Sequence, residues 1–373
     1  MNRSLTLAPL ADFSGSYAPE DVTFLLKRVR MRPTPVEEKE HRIQTGAAHY
    51  SEMISEERRP DARYLALFEA ACVPGVPRLA RDVRALTRQV LDLIRSGRLN
   101  ERVTLCSLVR AGVPYGVVLR RDLARAGVDV AHFGVSIIRD RGLDPVAMAR
   151  VLAERPANGV VFVDGWTGKG AIATELDRSW REISGQAPML AVIADPCGRA
   201  DICASREDWL IPSGILGGNV SGLISRSILR SDLIGEGDFH GCILLEHLTD
   251  LDLSAAFVDR VDAHLRRMTV VVSTDPDVRP EAADRLRVAA DETITAIASL
   301  FGVGNLNRIK PGIAEATRAV LRRRPDQVLV RSSGEDAELA ALLHLCERDG
   351  VPVIADAQLT GPYRAITLIR ETT

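Results

Sequence analysis

Short apolar runs alternate with helically spaced apolar residues along the middle of the chain. Between residues 103 and 245, short apolar runs are separated by segments with helical character. This alternation is typical of βαβ units, and it predicts an α/β fold with a parallel sheet and helices on both faces. Ligands bind such sheets at the carboxyl ends of the strands. The predicted strands are 103–109, 128–138, 160–163, 190–194 and 242–245.

The flanking regions have different patterns. Residues 1–60 are polar and rich in turn formers, which predicts an N-terminal arm without continuous regular structure. Helical spacing predicts helices at 61–71 and 79–96, the second ended by Gly97, in a main domain of residues 61–262. Residues 263–373 predict a smaller α/β/α sandwich, with strands at 269–273, 328–331 and 351–355 and helices at 280–301, 312–323 and 337–347.

The charge and cysteine content of the chain limit the kind of binding site and the cellular compartment that we expect. The 373 residues include 48 basic and 50 acidic side chains, so affinity for a phosphorylated partner has to come from local clusters. Six cysteines without CxxC spacing argue against a zinc ribbon and a disulfide framework. Without a long apolar run or a leader-like start, we expect a cytoplasmic protein with no membrane association.

The segment 164–170 carries the strongest chemical signal. An apolar strand ends at Asp164, and a turn rich in glycine and threonine then leads into a helix near Ala171. Backbone N–H groups and a helix N-terminus converge in such a loop, which suits a phosphate, while Asp164 suits the hydroxyls of a ribose. An ordinary βα turn is the alternative. The predicted loop residues are Asp164, Gly165, Thr167, Gly168, Lys169 and Gly170.

Two arginine-bearing loops are candidates for binding pyrophosphate. Arg110, Ala111 and Gly112 follow the first strand, where the guanidinium binds a polyanion and the glycine permits close approach. Arg139 and Arg141 occupy alternate positions, so on an extended chain both would point toward a departing pyrophosphate. A tight turn with a surface arginine and a solvated charge pair are the respective alternatives.

These loops resemble those of type I phosphoribosyltransferases. Segments 15–26, 43–52 and 209–226 look like bacterial phosphoribosyltransferases encoded beside tellurite-resistance stress operons, a family sometimes labelled cysteine protease. The resemblance implies transfer of a phosphoribosyl group from phosphoribosyl pyrophosphate with Mg²⁺ to a nucleobase-like acceptor, in biosynthesis of a nucleoside-type metabolite. Arg139, Arg141 and Asp164 would act in catalysis, with no metal ligand assigned to the protein itself. Gly165 departs from the family pattern by replacing a second acid.

The acceptor pocket is predicted in a glycine-rich segment and in the arm. Ser213, Asn219 and Ser221 supply polar groups in segment 211–226, and His49 lies in the arm. A capped loop before a helix is an equally open interpretation of the segment, and His49 could simply hold the arm in place.

Residues from about 300 to 373 resemble the Pelota-type RNA-binding domain. The residues that match its pattern imply contacts with RNA, and a basic face for docking is the alternative. Family resemblance also makes a homodimer reasonable. The predicted RNA-binding residues are Lys310, Gly312, Glu315, Thr317 and Arg318.

Two further functions remain open from the sequence. One is a non-catalytic RNA-binding regulator that keeps the fold. The other is hydrolysis by a cysteine nucleophile with a histidine partner. Its candidates are Cys106, Cys197 or Cys242 with His49, His240 or His247.

Overall fold

The computed structural model describes residues 12–268, 280–332 and 336–371. We call residues 12–268 the first unit and residues 280–371 the second unit. The strands are β1 (Thr23–Phe24), β2 (Lys27–Arg28), β3 (Arg102–Leu108), β4 (Asp129–Val135), β5 (Ile137–Ile138), β6 (Gly142–Leu143), β7 (Val160–Trp166), β8 (Leu190–Ala194), β9 (Ile202–Ser205), β10 (Gly241–Cys242), β11 (Ile309–Pro311), β12 (Pro325–Val330), β13 (Val353–Ala355) and β14 (Ala365–Ile369). The helices are α1 (Val36–Gln44), α2 (Ala62–Arg95), α3 (Val113–Arg125), α4 (Pro145–Glu154), α5 (Ala171–Ser184), α6 (Ser254–Arg267), α7 (Pro280–Leu300), α8 (Ile313–Arg322), α9 (Ala340–Asp349) and α10 (Ala357–Thr360).

A six-stranded parallel sheet forms the first unit, in the order β1-β4-β3-β7-β8-β9. Successive side chains of a strand point to opposite faces. Val161 and Val163 therefore pack with α2, α3 and α6, while Phe162 packs against Trp180 of α5. This confirms an α/β fold with a parallel sheet flanked by helices on both faces.

Helix α2 corrects the prediction of two separate helices. It runs unbroken through Pro74 and Pro77. A proline removes an N–H and crowds the preceding turn, yet Pro74 lies on the exposed side, where the freed carbonyl can meet water. Phe68, Cys72 and Val76 continue one buried stripe across this stretch, and their burial offsets the cost.

The arm also contains more regular structure than its polar pattern predicts. Helix α1 occupies part of it, and β1 and β2 pair in parallel with β4 and β10. Of the strand predicted at 242–245, only Cys242 lies in a strand, the two-residue β10.

The second unit has a four-stranded sheet in the order β11-β14-β12-β13. Ile294 and Ile297 of α7 pack on one face, and α8 and α9 cover the other. The strand predicted at 269–273 lies outside the described residues. The proposed domain boundaries stay predictions. Within the described ranges, no helix has the length and apolar content to cross a membrane.

Candidate functional site: a basic cavity between the two units

A cavity opens where the carboxyl ends of β3 and β7 meet the arm and the second unit. Its larger lobe has a volume of about 750 Å³ and the adjoining lobe about 320 Å³. The first unit supplies the loops after β3 and β7 and the β5–β6 hairpin, and the second supplies β11 and α8. The side chains that line both lobes are Tyr50, Arg110, Arg139, Arg226, Lys310, Glu315, Arg318 and Arg322.

Arg110 and Glu57 form a buried ion pair in the wall of this cavity. Arg110 also donates to the carbonyl of Ile224 at 2.8 Å, and the Gly218 N–H donates to Glu57 at 2.7 Å. Burial alone would raise the pKa of Glu57, but the charges of Arg110 and Arg322 and the Gly218 N–H outweigh it and lower that pKa to about 2. Glu57 is therefore ionised at neutral pH.

Two other arginines are held by backbone carbonyls and aromatic rings. Arg318 donates to the carbonyl of Leu216 at 3.2 Å, and its guanidinium lies 4.8 Å from the ring centre of Trp166. Arg226 donates to the carbonyl of Tyr50 at 2.6 Å and lies 5.2 Å from that ring's centre. Burial, followed by neighbouring cations for Arg318, lowers the pKa of each arginine to about 10.

Buried polar atoms without a hydrogen-bond partner gather along the cavity walls. Such atoms are uncommon inside folded proteins, and each costs about 1–3 kcal/mol. Most of those in the cavity are N–H donors, so an acceptor-rich ligand would satisfy them. Within the described residues they are His49 Nε2, Ser55 Oγ, Arg110 Nε, Arg139 Nε, Asn219 Nδ2, Ser227 Oγ, Arg318 Nε and Arg322 Nη2.

Three lysines at the cavity have lowered pKa values. Burial, followed by the nearby Lys310 and Arg139 cations, lowers the pKa of Lys169 to about 7. Burial is also the main reason why the pKa values of Lys310 and Lys39 fall to about 8. A cluster of cations disfavours further protonation, whereas a bound anion would favour it.

The loop after β7 takes the predicted strand–turn–helix form, and α5 begins at Ala171 after Gly170, whose φ is +83°. The hydroxyl of Thr167, however, donates to Asp195 at 2.6 Å instead of facing the cavity as a free donor. Asp164 accepts from the Gly165 N–H at 2.8 Å, and burial raises its pKa to about 7.

The second unit covers this loop. Tyr363 donates to the carbonyl of Gly168 at 3.0 Å, and Lys169 donates to the carbonyl of Leu306. No group of three or more potential metal-binding His, Cys, Asp or Glu side chains occurs in the described residues. The expected Mg²⁺ stays a prediction.

The two arginine loops differ from their predicted geometry. Gly112 is required because a Cβ there would collide with the Val163 carbonyl of β7, so its close approach is to the protein backbone and not to a ligand. Arg139 and Arg141 flank Asp140, whose φ is +66°, in the tight turn of the β5–β6 hairpin. The extended alternation that we expected is therefore wrong, although both arginines line the larger lobe.

Two of the four predicted acceptor-binding residues line the cavity, and the other two do not. His49 and Asn219 line the larger lobe. Ser213, by contrast, is hydrogen bonded to the hydroxyl of Tyr115 at 2.7 Å, and Ser221 donates to the carbonyl of Gly217 at 2.7 Å. These two buried serines stabilise the segment itself.

The predicted RNA-binding residues face the first unit. Lys310 and Arg318 are only 8% and 9% exposed, and Thr317 is fully buried, with its hydroxyl donating to the Ile313 carbonyl. Gly312 precedes α8 with a φ of +93°. Glu315 lies 3.7 Å from Lys310 across the cavity wall.

All six cysteines are buried and free of disulfide bonds. Burial raises the pKa of Cys106 far above its usual range and that of Cys197 and Cys242 to about 12. The rings of His49 and His240 are hydrogen bonded to serine hydroxyls, and His247 is bonded to the Glu57 carbonyl.

Sequence reasoning missed the acidic partners of the cavity arginines. Glu57 belongs to a run of two acids and two arginines, and Glu40 to a charged helix. Such runs usually form solvated surfaces, so nothing local distinguished them. Lys39, which also lines the cavity, was missed for the same reason.

Models of known protein families match most of this chain. A family model described as "Tellurite-like stress resistance cysteine protease StiP" matches residues 15–262. The chain belongs to this family. A relative from Acinetobacter baylyi, described as "Cysteine protease StiP", is 42% identical, and the match covers 96% of this chain and 94% of the relative. A model described as "PELOTA RNA binding domain" matches residues 288–371, which confirms the Pelota-type assignment of the C-terminal region.

Solved structures give only weak partial likenesses. A hypoxanthine phosphoribosyltransferase of Trypanosoma cruzi covers 35% of this chain and 78% of its own, at 12% identity and a TM-score of 0.28. A hypoxanthine-guanine phosphoribosyltransferase from Bacillus anthracis covers 35% of this chain and 77% of its own, at 14% identity and a TM-score of 0.26. Such low scores carry no conclusion about function.

These matches correct the predicted activity. The family model and the 42% identical relative are both named for a cysteine protease, so the prediction of a phosphoribosyltransferase, with its transfer of a phosphoribosyl group and nucleoside biosynthesis, is wrong.

Proposed function

We propose that this protein binds a phosphorylated small molecule in the basic cavity between its two units. The observation that carries the proposal is the set of buried arginine N–H groups without partners around one cavity. A guanidinium presents a rigid fork of donors that fits phosphate oxygens, and hydrogen bonds between charged groups are the stronger kind.

The electrostatics of the cavity favour a ligand with more than one negative charge. Glu57 is shared by Arg110 and by Arg322, whose Nη2 lies 3.8 Å from it. Arg226 and Arg318 donate to carbonyl groups instead. Burying a cation without full compensation is costly, and a polyanion would supply the missing charge.

The size of the cavity agrees with a small ligand. Small-molecule sites in proteins usually span about 300–1,000 Å³, and the larger lobe has about 750 Å³. Tyr50 and Trp166 add aromatic rings to walls that are otherwise basic. Arg226 lies against the Tyr50 ring and Arg318 against the Trp166 ring, so both rings help to hold cavity cations in place.

Isothermal titration calorimetry with inorganic pyrophosphate tests the proposal. We expect saturable binding to the wild-type protein and a loss of about tenfold to a hundredfold in affinity for Arg318→Gln, because one charged donor is removed. Arg331→Gln, an exposed arginine of the second unit outside the cavity, is the matched control and should bind like wild type. The proposal fails if wild type shows no saturable binding or if Arg318→Gln binds unchanged.

Thiol-dependent hydrolysis is the second candidate, because the family and the 42% identical relative are both described as cysteine proteases. Cys197 is the candidate thiol, because its side chain is hydrogen bonded to Thr167 in the loop after β7. The thiolate is the nucleophile in such reactions, and burial raises the pKa of Cys197 to about 12, so a conformational opening would have to expose it.

A peptidase assay on denatured casein tests this second candidate. Thiol-dependent activity in the wild-type protein that disappears in Cys197→Ser would support it. Cys72→Ser, a buried cysteine on α2 far along the chain from the loop, is the control. Absence of activity in the wild-type protein, or equal activity in both variants, would exclude Cys197 as the nucleophile.

A further inference from the structure

The second unit turns its basic face toward the first unit. We call this the inner face and define it by Lys310, Arg318, Arg322 and Arg323, which lie on β11, on α8 and directly after it. Lys310 and Arg318 are nearly inaccessible to solvent, and the other two are half-buried. RNA binding requires basic side chains that can reach phosphates. The inner face belongs to the segment that matches the RNA-binding domain model, and in this arrangement the first unit covers it.

Acidic groups of the first unit occupy the positions opposite this face. Glu40, itself inaccessible to solvent, accepts from Arg323 Nη2 at 2.6 Å. Glu57 lies 3.8 Å from Arg322. Carboxylates thus satisfy, in part, the donors that would otherwise meet phosphate oxygens.

A third carboxylate holds the start of α8. Asp208 accepts from the Ile313 N–H with both oxygens at 3.0 Å and from the Arg364 N–H at 2.7 Å. Backbone N–H groups at a helix N-terminus are an anion-binding site, and here the anion is a side chain of the first unit. Asp208 therefore occupies this site in the closed arrangement.

We propose that the first unit covers the inner face and competes with RNA for it, so that RNA binds there only when the Glu40–Arg323 and Asp208–Ile313 contacts open locally and the apolar core shared by the two units stays intact. The apparent affinity for RNA is then the intrinsic affinity reduced by the fraction of open molecules. A polyanion in the cavity contacts both units and lowers that fraction. This last clause rests on the proposed function; the cover itself does not.

Fluorescence polarisation on the full chain with a labelled pool of short random-sequence RNA tests the cover. We expect Glu40→Gln and Asp208→Asn each to tighten RNA binding by about tenfold, because they remove contacts that exist only in the closed arrangement. Glu101→Gln removes the same charge from an exposed position outside the interface and is the control for a general charge effect. Thermal melting of each variant confirms that it is folded.

Adding Lys310→Ala to Glu40→Gln should abolish the gain, since it removes a cation of the inner face. The cover is overturned if neither interface variant tightens RNA binding, if Glu101→Gln tightens it equally, or if Lys310→Ala leaves the gain intact. Absence of RNA binding by all variants overturns it as well.

Titration with inorganic pyrophosphate distinguishes a failure of the proposed cover from a failure of the proposed function. We expect pyrophosphate to weaken RNA binding by the wild-type protein and to do so less for Glu40→Gln. Pyrophosphate that binds in the calorimeter without changing RNA affinity would overturn the coupling and leave the proposed function standing. Pyrophosphate that does not bind overturns the proposed function, and the interface variants then decide the cover alone.

Discussion

Replacement of Glu57 by glutamine should lower stability and strengthen anion binding at the same time. Glu57 is the carboxylate shared by Arg110 and Arg322 inside the cavity, with its side chain 17% exposed. Glutamine keeps the shape of the side chain and an acceptor for the Gly218 N–H but removes the charge. The buried cations then lose their counterion, and a polyanion meets no competitor for Arg110.

The size of the stability loss follows from the pKa of Glu57. That pKa is lowered from 4.5 to about 2, chiefly because the Arg110 and Arg322 charges outweigh the effect of burial. At about 1.36 kcal/mol per pKa unit, the ionised carboxylate contributes about 3 kcal/mol at neutral pH. Because the pKa is lower in the folded state, this contribution is present above about pH 4.5 and falls to about half near pH 3.

Urea unfolding followed by tryptophan fluorescence measures the free energy of unfolding of both proteins at pH 7 and at lower pH. Calorimetry with pyrophosphate measures the affinity. Glu101→Gln is the matched control, since Glu101 is exposed and lies outside the cavity. A loss below about 1 kcal/mol, typical of surface pairs, or a weaker affinity for pyrophosphate in Glu57→Gln would refute the reasoning.

Three further predictions follow from the same structure. Pyrophosphate binding should take up protons and weaken as pH rises from 7 to 9. Burial and neighbouring cations lower the pKa values of Lys169 and Lys310 to about 7 and 8, and a bound anion would raise them again. Binding enthalpies that do not depend on the ionisation enthalpy of the buffer would contradict this. Gly112→Ala should lose at least about 1–3 kcal/mol in urea unfolding, because its Cβ would collide with β7, whereas Gly304→Ala, with open space around it, should not. The six buried thiols should react slowly with Ellman's reagent in the native protein and fully in urea; rapid reaction of one native thiol would contradict this and favour the hydrolase candidate.

Much of the central sheet could be predicted from local pattern. Strands β7 and β8 contain continuous apolar runs at 160–163 and 190–194, and β3 is mostly apolar, because these strands are buried on both faces. This signal does not depend on the partner strands. The start of α5 at Ala171 was also predictable, since the preceding glycines permit the turn. Local sequence was sufficient where burial alone decides the structure.

Other elements depend on contacts distant in sequence. Strand β14 pairs with both β11 and β12 in the second sheet, but its apolar run follows closely on Gly361 and was not recognised as a strand. The sequence predicted two helices in place of α2, because the cost of a proline is visible in the local sequence and the packing that offsets this cost is not. Tertiary packing overrode local preference in this helix.

The cavity shows the same limit. The sequence identified arginines of the cavity in loops at strand ends, but it did not identify the groups with which they pair. Glu57 is 53 residues before Arg110, and Arg318 reaches the Leu216 carbonyl 102 residues away. No spacing rule predicts such pairs, so the sequence indicated the basic groups without the carboxylates that neutralise part of them.

The long helix α2 has a consequence for how the protein unfolds. Its buried side chains belong to one hydrophobic cluster that also contains Ile313, Val320, Leu342 and Leu345 of the second unit. A continuous apolar core therefore joins the segments matched by the two family models. Heating should therefore melt the two segments together in one transition.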